Sequence, residues 1–192
     1  MDEMLSFRKN ALLNNLCKEW DNMWKACKEN KEKLVRLVLM QQSQPYFADY
    51  CYRGVGLSKE YVLENFADYI NGVVHHDCDE VQGYEYALYV GYTDDITCVV
   101  DVLSMMWCDV PQLLIKRHKA PILYVSNNSK VHLVCEGYSY VRVYLFDESE
   151  LIVGDTDENT DIIVYKYSEN CTVTKGQYCL GRVNEFVKSL RL

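Results

Sequence analysis

Six consecutive residues, His75-His76-Asp77-Cys78-Asp79-Glu80, crowd imidazole, carboxylate and thiol into one short stretch. Zinc takes imidazole and thiolate, with four ligands in a structural site. His75, His76 and Cys78 are therefore the residues to weigh as metal ligands. Adjacent histidines point to opposite sides of an extended segment, and no second cluster at a familiar spacing completes the set. The expectation is an exposed polar loop, with no metal and no other cofactor. Asp155-Thr156-Asp157-Glu158-Asn159-Thr160-Asp161 places oxygen ligands at alternate positions. A calcium loop of the EF-hand kind needs glycine sixth and glutamate twelfth. Those positions hold Thr160 and Lys166, so a solvated corner is expected instead.

Catalytic patterns are absent. The chain has no Gly-x-Ser-x-Gly elbow, no phosphate-cradling glycine loop and no His-Glu-x-x-His helix. Nine cysteines and four histidines allow a thiol nucleophile in principle, but nothing in the sequence lowers any thiol's pKa. No catalytic residue is assigned. Lys116-Arg117-His118-Lys119, the one basic run, is too short for a nucleic-acid surface and reads as a solvated corner before Pro121.

Sixteen tyrosines offer a different chemistry, since a phenol joins apolar area to a polar tip and concentrates at binding surfaces. Tyr140, Arg142 and Tyr144 alternate with Val141, Val143 and Leu145, so the two sets lie on opposite faces of a strand. Tyr165 is out of phase with Val164 in the same way. Tyr140, Arg142, Tyr144 and Tyr165 are the expected contacts with a partner protein. The competing expectation is a tyrosine ladder that only stabilises a sheet.

The elements that position these side chains follow from a short repeat. Ser129-x-Val131-x-Leu133 recurs as Ser139-x-Val141-x-Val143 and Ser149-x-Leu151-x-Val153, then as Thr160-x-Ile162-x-Val164, and fades at Cys171-x-Val173. Units ten or eleven residues apart, each with period-two alternation, predict stacked strands over 129–175. Two such units make one coil of a short β-solenoid; an antiparallel meander or sandwich has the same turn spacing and stands as the alternative. Tyr84 to Tyr92 and Ile96 to Val102 also alternate, and Thr93-Asp94-Asp95 between them predicts a hairpin. Ser104 to Cys108 is apolar without a clear period, Leu113 to Ile115 and Ile122 to Val125 are short strands, and Val183 to Leu192 is a short strand or a terminal helix turn, with the helix turn preferred.

Before residue 73 the pattern is helical. Leu12, Leu16, Trp20 and Trp24 fall four apart, and apolar positions continue through Leu34, Val35, Leu37 and Val38. Asn30 either breaks this into a pair of helices or lies inside one long helix. Gln41 to Pro45 ends it, aromatics follow at Tyr46, Phe47, Tyr50 and Tyr52, and Gly54 and Gly56 bracket a turn. Ser58 caps a second helix that stops at Asn71-Gly72. The chain is thus expected to be α+β, with a helical region at 1–72 and a β-rich region at 73–192. The helices and the 84–102 hairpin are expected to cap the N-terminal end of the stack.

Composition narrows function further. The 192 residues are 49% hydrophobic and 25% charged, which suits a globular protein. No secretory signal or spanning run is present, and scattered cysteines in odd number suit a reducing compartment, so a cytoplasmic protein is expected. Net charge is −8, with +2 over residues 1–40 and −10 over the rest, which argues against nucleic acid and permits a basic protein partner.

The stacked Ser-x-Val-x-Val units resemble those of small accessory proteins from phages and mobile elements of gut bacteria. The stretches Gly56 to Tyr61 and Tyr69 to Gly72 are similar to segments in the same group. The resemblance implies a setting, an accessory protein acting on a host or phage factor, and carries no site residues. The expected function is a non-enzymatic intracellular interaction module, such as an inhibitor, immunity or phage accessory protein. The alternatives are a homo-oligomeric or virion-associated component assembled through the N-terminal helices, and a thiol- or metal-dependent enzyme.

Overall fold

The computed structural model describes residues 18–27, 30–42, 57–76 and 83–188, with Ser6, Arg8, Lys9 and Leu13 before them. Leu12, Leu16, the 43–56 connector with its aromatic run, Cys78 and the final four residues lie outside that set.

Parallel strands stack in two sheets. Strands β2 (Glu85–Val90), β4 (Val102–Met106), β6 (Ile122–Ser126), β8 (Tyr140–Leu145), β10 (Asp161–Lys166) and β12 (Arg182–Val187) form one wall, with β1 (Val74–His76) antiparallel on its first edge. Strands β3 (Ile96–Cys98), β5 (Asp109–Ile115), β7 (Lys130–Cys135), β9 (Glu150–Thr156) and β11 (Thr172–Lys175) form the other. Successive strands of the chain alternate between walls, giving a β-solenoid of roughly five turns. Val102 pairs with Ile122 and Ile122 with Arg142, twenty residues on each time. The ten-residue sequence unit is thus one side of a coil. Alternation puts Leu123, Val125, Val141, Val143, Leu145, Ile162 and Val164 inside, against Leu113, Ile115, Val131, Leu133, Leu151 and Val153 of the facing wall. Each such side chain contributes about 1.5–3 kcal/mol when fully buried.

The small polar residue that begins each unit sits at a corner and is buried, not solvated. Except at Ser149, it bonds the coil before it. Thr160 Oγ1 donates to Gly137 O at 2.9 Å, Ser139 Oγ to Lys116 O at 3.5 Å, and Cys171 Sγ to Asp147 O at 3.4 Å. Ser129 Oγ accepts from Cys108 N at 3.0 Å and donates to Ser126 O. Gly91, Trp107, Asn127 and Asp147 recur in the left-handed region at one row of corners, and the Asp147 carboxylate accepts from Asn127 N at 3.0 Å.

Three expectations need correction. Residues 84–102 form no hairpin: β2 pairs with β4 and β3 with β5, in opposite walls, because a solenoid corner and a hairpin turn use the same residues over the same length. Arg182–Val187 is a strand, not a helix turn, held to β10 in parallel register. The described helices lie along the side of the solenoid, not over its end. Helix α1 (Lys18–Cys27) and helix α2 (Lys31–Gln42) are separated at Asn30, whose Oδ1 accepts from Lys33 N at 2.9 Å. Helix α3 (Lys59–Phe66) is capped by Ser58 Oγ, which accepts from Tyr61 N at 3.2 Å. Trp24, Leu34, Val35, Leu37, Val62 and Phe66 pack on the outer face of the even-numbered wall, against Leu88, Val90, Val102, Met106, Tyr124 and Phe146. Past α3 and a 3-10 turn, Asn71 and Gly72 take positive φ of 57° and 106°. The Asn71 amide then grips Val90, accepting from its N–H at 2.7 Å and donating to its carbonyl at 3.3 Å. That contact fastens the helical layer to the first coil.

Candidate docking face

The helical layer stops part-way across the even-numbered wall. Under it Tyr124 is buried; on β8, β10 and β12 no described helix lies over the outer side chains, which range from half-buried to exposed. Register places Tyr124 beside Tyr144, Tyr144 beside Tyr165, and Tyr165 beside Phe186. Their rings stack at 4.9, 5.1 and 5.7 Å between centroids, close to the strand spacing. Phe146 stacks on Tyr167 at 5.0 Å along the layer's margin. The ladder therefore begins in the core and emerges, with Tyr144 and Tyr165 half-buried and Phe186 46% exposed.

Arg142 lies between Ile122 and Ile163 in this face. Its Nε is buried and makes no hydrogen bond, and no carboxylate pairs with its guanidinium among the described residues. Asp161, the nearby acid, is taken by Arg182, with Nε 2.7 Å from Oδ1 and Nη2 2.7 Å from Oδ2. Tyr140, 39% exposed, adjoins Asp161 in the ladder. Lys188 Nζ stands 5.2 Å from the Tyr165 ring centroid, a cation–π distance. The outer positions of the three strands thus carry Arg142, Arg182 and Lys188 against the single carboxylate Asp161. The four predicted contacts share one face, as their alternation requires, but that face is cationic although the chain is acidic. Burial pushes the Tyr144 phenol up from its ordinary value, with Arg142 opposing the shift, so Tyr144 stays a neutral donor and acceptor.

The ladder was visible in the sequence as Tyr124, Tyr144, Tyr165 and Phe186, each one coil from the next. Only Tyr144 and Tyr165 lie within the sequence repeat over 129–175; Tyr124 precedes it and Phe186 follows the unit at which it fades.

Elsewhere the candidate chemistry separates. His75 is buried in β1 with Nε2 2.9 Å from Tyr69 O, whereas His76 points the opposite way and is exposed, 3.6 Å from Glu85. The polar loop expected there is, at these two residues, an edge strand. No group of three or more potential ligands gathers among the described residues. Asp157 accepts from Asn159 N and Nδ2, both at 2.9 Å, and these bonds hold its carboxyl below the usual range; Asp155 is exposed on β9 and Asp161 is engaged with Arg182. Burial pushes the thiols of Cys98, Cys108 and Cys171 up to about 11 and that of Cys135 to about 12, so they persist as thiols at neutral pH rather than as nucleophilic thiolates. An open cleft of about 620 Å³ crosses one row of corners, lined by Arg117, His118, Glu136, Tyr138, Asp157 and Asn159, and it contains no cysteine. No described helix is long and apolar enough to cross a membrane. No family model, curated protein or solved structure matches the chain.

Proposed function

We propose that this protein is a non-enzymatic interaction module that binds another protein through the outer face of β8, β10 and β12. The observation that carries the reading is Arg142, a half-buried guanidinium with no anion among the described residues, set beside an aromatic ladder that runs out from under the helices. An arginine fork matches a carboxylate in two hydrogen bonds, and stacked rings supply rigid apolar area around it. The partner segment is therefore acidic, with at least one carboxylate aimed at Arg142 and apolar groups laid on Tyr144 and Tyr165. Tyr140 closes the near side. The free thiols of the solenoid suit a reducing cytoplasm. An inhibitor, immunity or phage accessory role fits such a small binding module.

The test is capture from the native cell by the full chain and its variants, followed by affinity measurement on the captured species. Arg142→Glu, and separately Tyr140→Ala with Tyr144→Ala, are expected to cut capture at least tenfold while circular dichroism is unchanged. Tyr178→Ala, an exposed ring on the opposite wall's last corner, leaves it intact. Equal capture by wild type and both face variants rejects the assignment.

A further inference from the structure

The two ends of the solenoid are built differently. At the first, β1 covers the edge of β2 and Asn71 clamps the same strand. At the last, β12 is an edge with no strand beyond it among the described residues. It is six residues long, has no proline and pairs with β10 without a bulge. Protected edges are usually short, bulged, proline-bearing, charged or covered, and of these devices β12 has only charge, at Arg182 and Glu185. Apolar side chains collect there: Leu180, Phe186 and Val187 are exposed, Val187 at 68%.

We infer that this edge pairs antiparallel with β12 of a second copy, about a two-fold axis at Phe186. Backbone parity sets the register. Arg182 N donates to Thr160 O, just before β10, and Lys188 N to Lys166 O at its end, so the even-numbered amides face inward along the sheet. The groups of Val183, Glu185 and Val187 face the free edge, and Lys175 Nζ already reaches Val183 O at 3.4 Å. Glu185 and Val187 remain to bond a new strand. Centring on Glu185 would set Glu185 against its twin and Arg182 against the partner's Lys188, two like-charge pairs that oppose pairing. Moving the axis to Phe186 matches Glu185 with the partner's Val187 and removes both repulsions. It also makes Phe186 face its twin as a non-hydrogen-bonded pair, where side chains come closest. The ladder Tyr124, Tyr144, Tyr165, Phe186 then continues through the partner's Phe186, Tyr165 and Tyr144. A self-complementary edge closes as a dimer and does not propagate. The pairing leaves Arg142 free, so it stands apart from the docking face.

Sedimentation equilibrium of the full chain over about a hundredfold concentration range gives the mass. The expected species is twice 22.4 kDa. Val187→Pro removes an amide that the fold itself does not use and yields a monomer with unchanged circular dichroism. Mild oxidation of Phe186→Cys crosslinks two copies beyond the wild-type background, since paired Cα atoms lie about 4.5–5.5 Å apart. Asn184→Cys does not crosslink, because the two Asn184 positions are separated by about 13 Å of strand. A wild-type monomer throughout, a Val187→Pro dimer, or crosslinking at 184 as readily as at 186 overturns the proposal. So does a mass that keeps growing past the dimer. A monomer that dimerises only when residues 189–192 are removed assigns the edge to the chain's own tail and overturns it equally.

Discussion

Ser129 and Ser149 occupy equivalent corners one coil apart, yet their hydroxyls differ in what they satisfy. Ser129 Oγ serves the buried amide of Cys108; Ser149 Oγ is buried without a hydrogen bond. Removing a partner from a buried amide costs about 1–3 kcal/mol, whereas deleting an unsatisfied hydroxyl costs little. Ser129→Ala is expected to lower the urea midpoint by an amount worth about 1–3 kcal/mol, and Ser149→Ala to leave it unchanged or raise it. Equal losses at both positions would show that the corner needs a hydroxyl for shape alone. Cys108 and Cys171 stand in the same row of corners, and their thiols do the work of serine there. Because burial lifts Cys108 from 9.0 to about 11, the unfolded chain loses this proton first as pH rises. Between those two values the folded state binds more protons, so stability is full below pH 9 and falls toward pH 11. Cys108→Ser removes that titration while keeping a corner donor. Its stability is expected to decline less steeply than wild type over this window, read from urea midpoints at each pH. Parallel declines would mean that Cys108 is not protonated more strongly in the fold.

Helix α3 shows how an element's ends decide what it can hold in place. Ser58 Oγ satisfies one first-turn amide, and Ser58→Ala is expected to cost about 1 kcal/mol. The loss should appear in thermal unfolding without altering the strand signal, since the solenoid walls do not use this cap. Ser58 and its helix were legible because capping is local chemistry. The stack from 129 onward was legible for a related reason: alternate apolar residues repeat at a spacing only one strand and one corner long. The first coils show strands but no repeat in the sequence, because Cys108 replaces the serine starter and the irregularity between Val110 and Leu113 breaks the alternation of β5. β12 is ambiguous in the sequence because Val183, Phe186 and Val187 fit a helical face as well as an exposed edge. Arg142 is legible by its phase in β8, but its lack of an anion among the described residues depends on Asp161 being engaged by Arg182, twenty-one residues further along the chain, which no local pattern reveals. The side on which the helices would lie was equally hidden, since Leu88, Val90, Val102 and Met106 form an outer apolar strip only after the coils stack.

A stack in which each coil touches only its neighbours gains stability from its interfaces, so its terminal coils are the weakest unless something covers them. This molecule covers one end and one side. The first coil is held by β1, by the Asn71 clamp and by the helical layer, whereas among the described residues β12 pairs with β10 alone and gains one further bond, from Lys175 to Val183 O. Unfolding should therefore begin at the C-terminal end and travel inward. Hydrogen exchange reads this directly. Arg142 and Glu150, whose amides bond the preceding coil in mid-stack, are expected to exchange only by global unfolding. Arg182 and Lys188, bonded in the last coil, exchange by local fraying in the monomeric Val187→Pro variant. In wild type at dimerising concentration the same two amides should slow, because the partner strand must leave before β12 can open. If Arg182 and Lys188 exchange as slowly as Arg142 in the monomeric variant, the last coil is held by contacts other than β10. In that case neither the graded stability of the stack nor the need of its open edge for a second copy would stand.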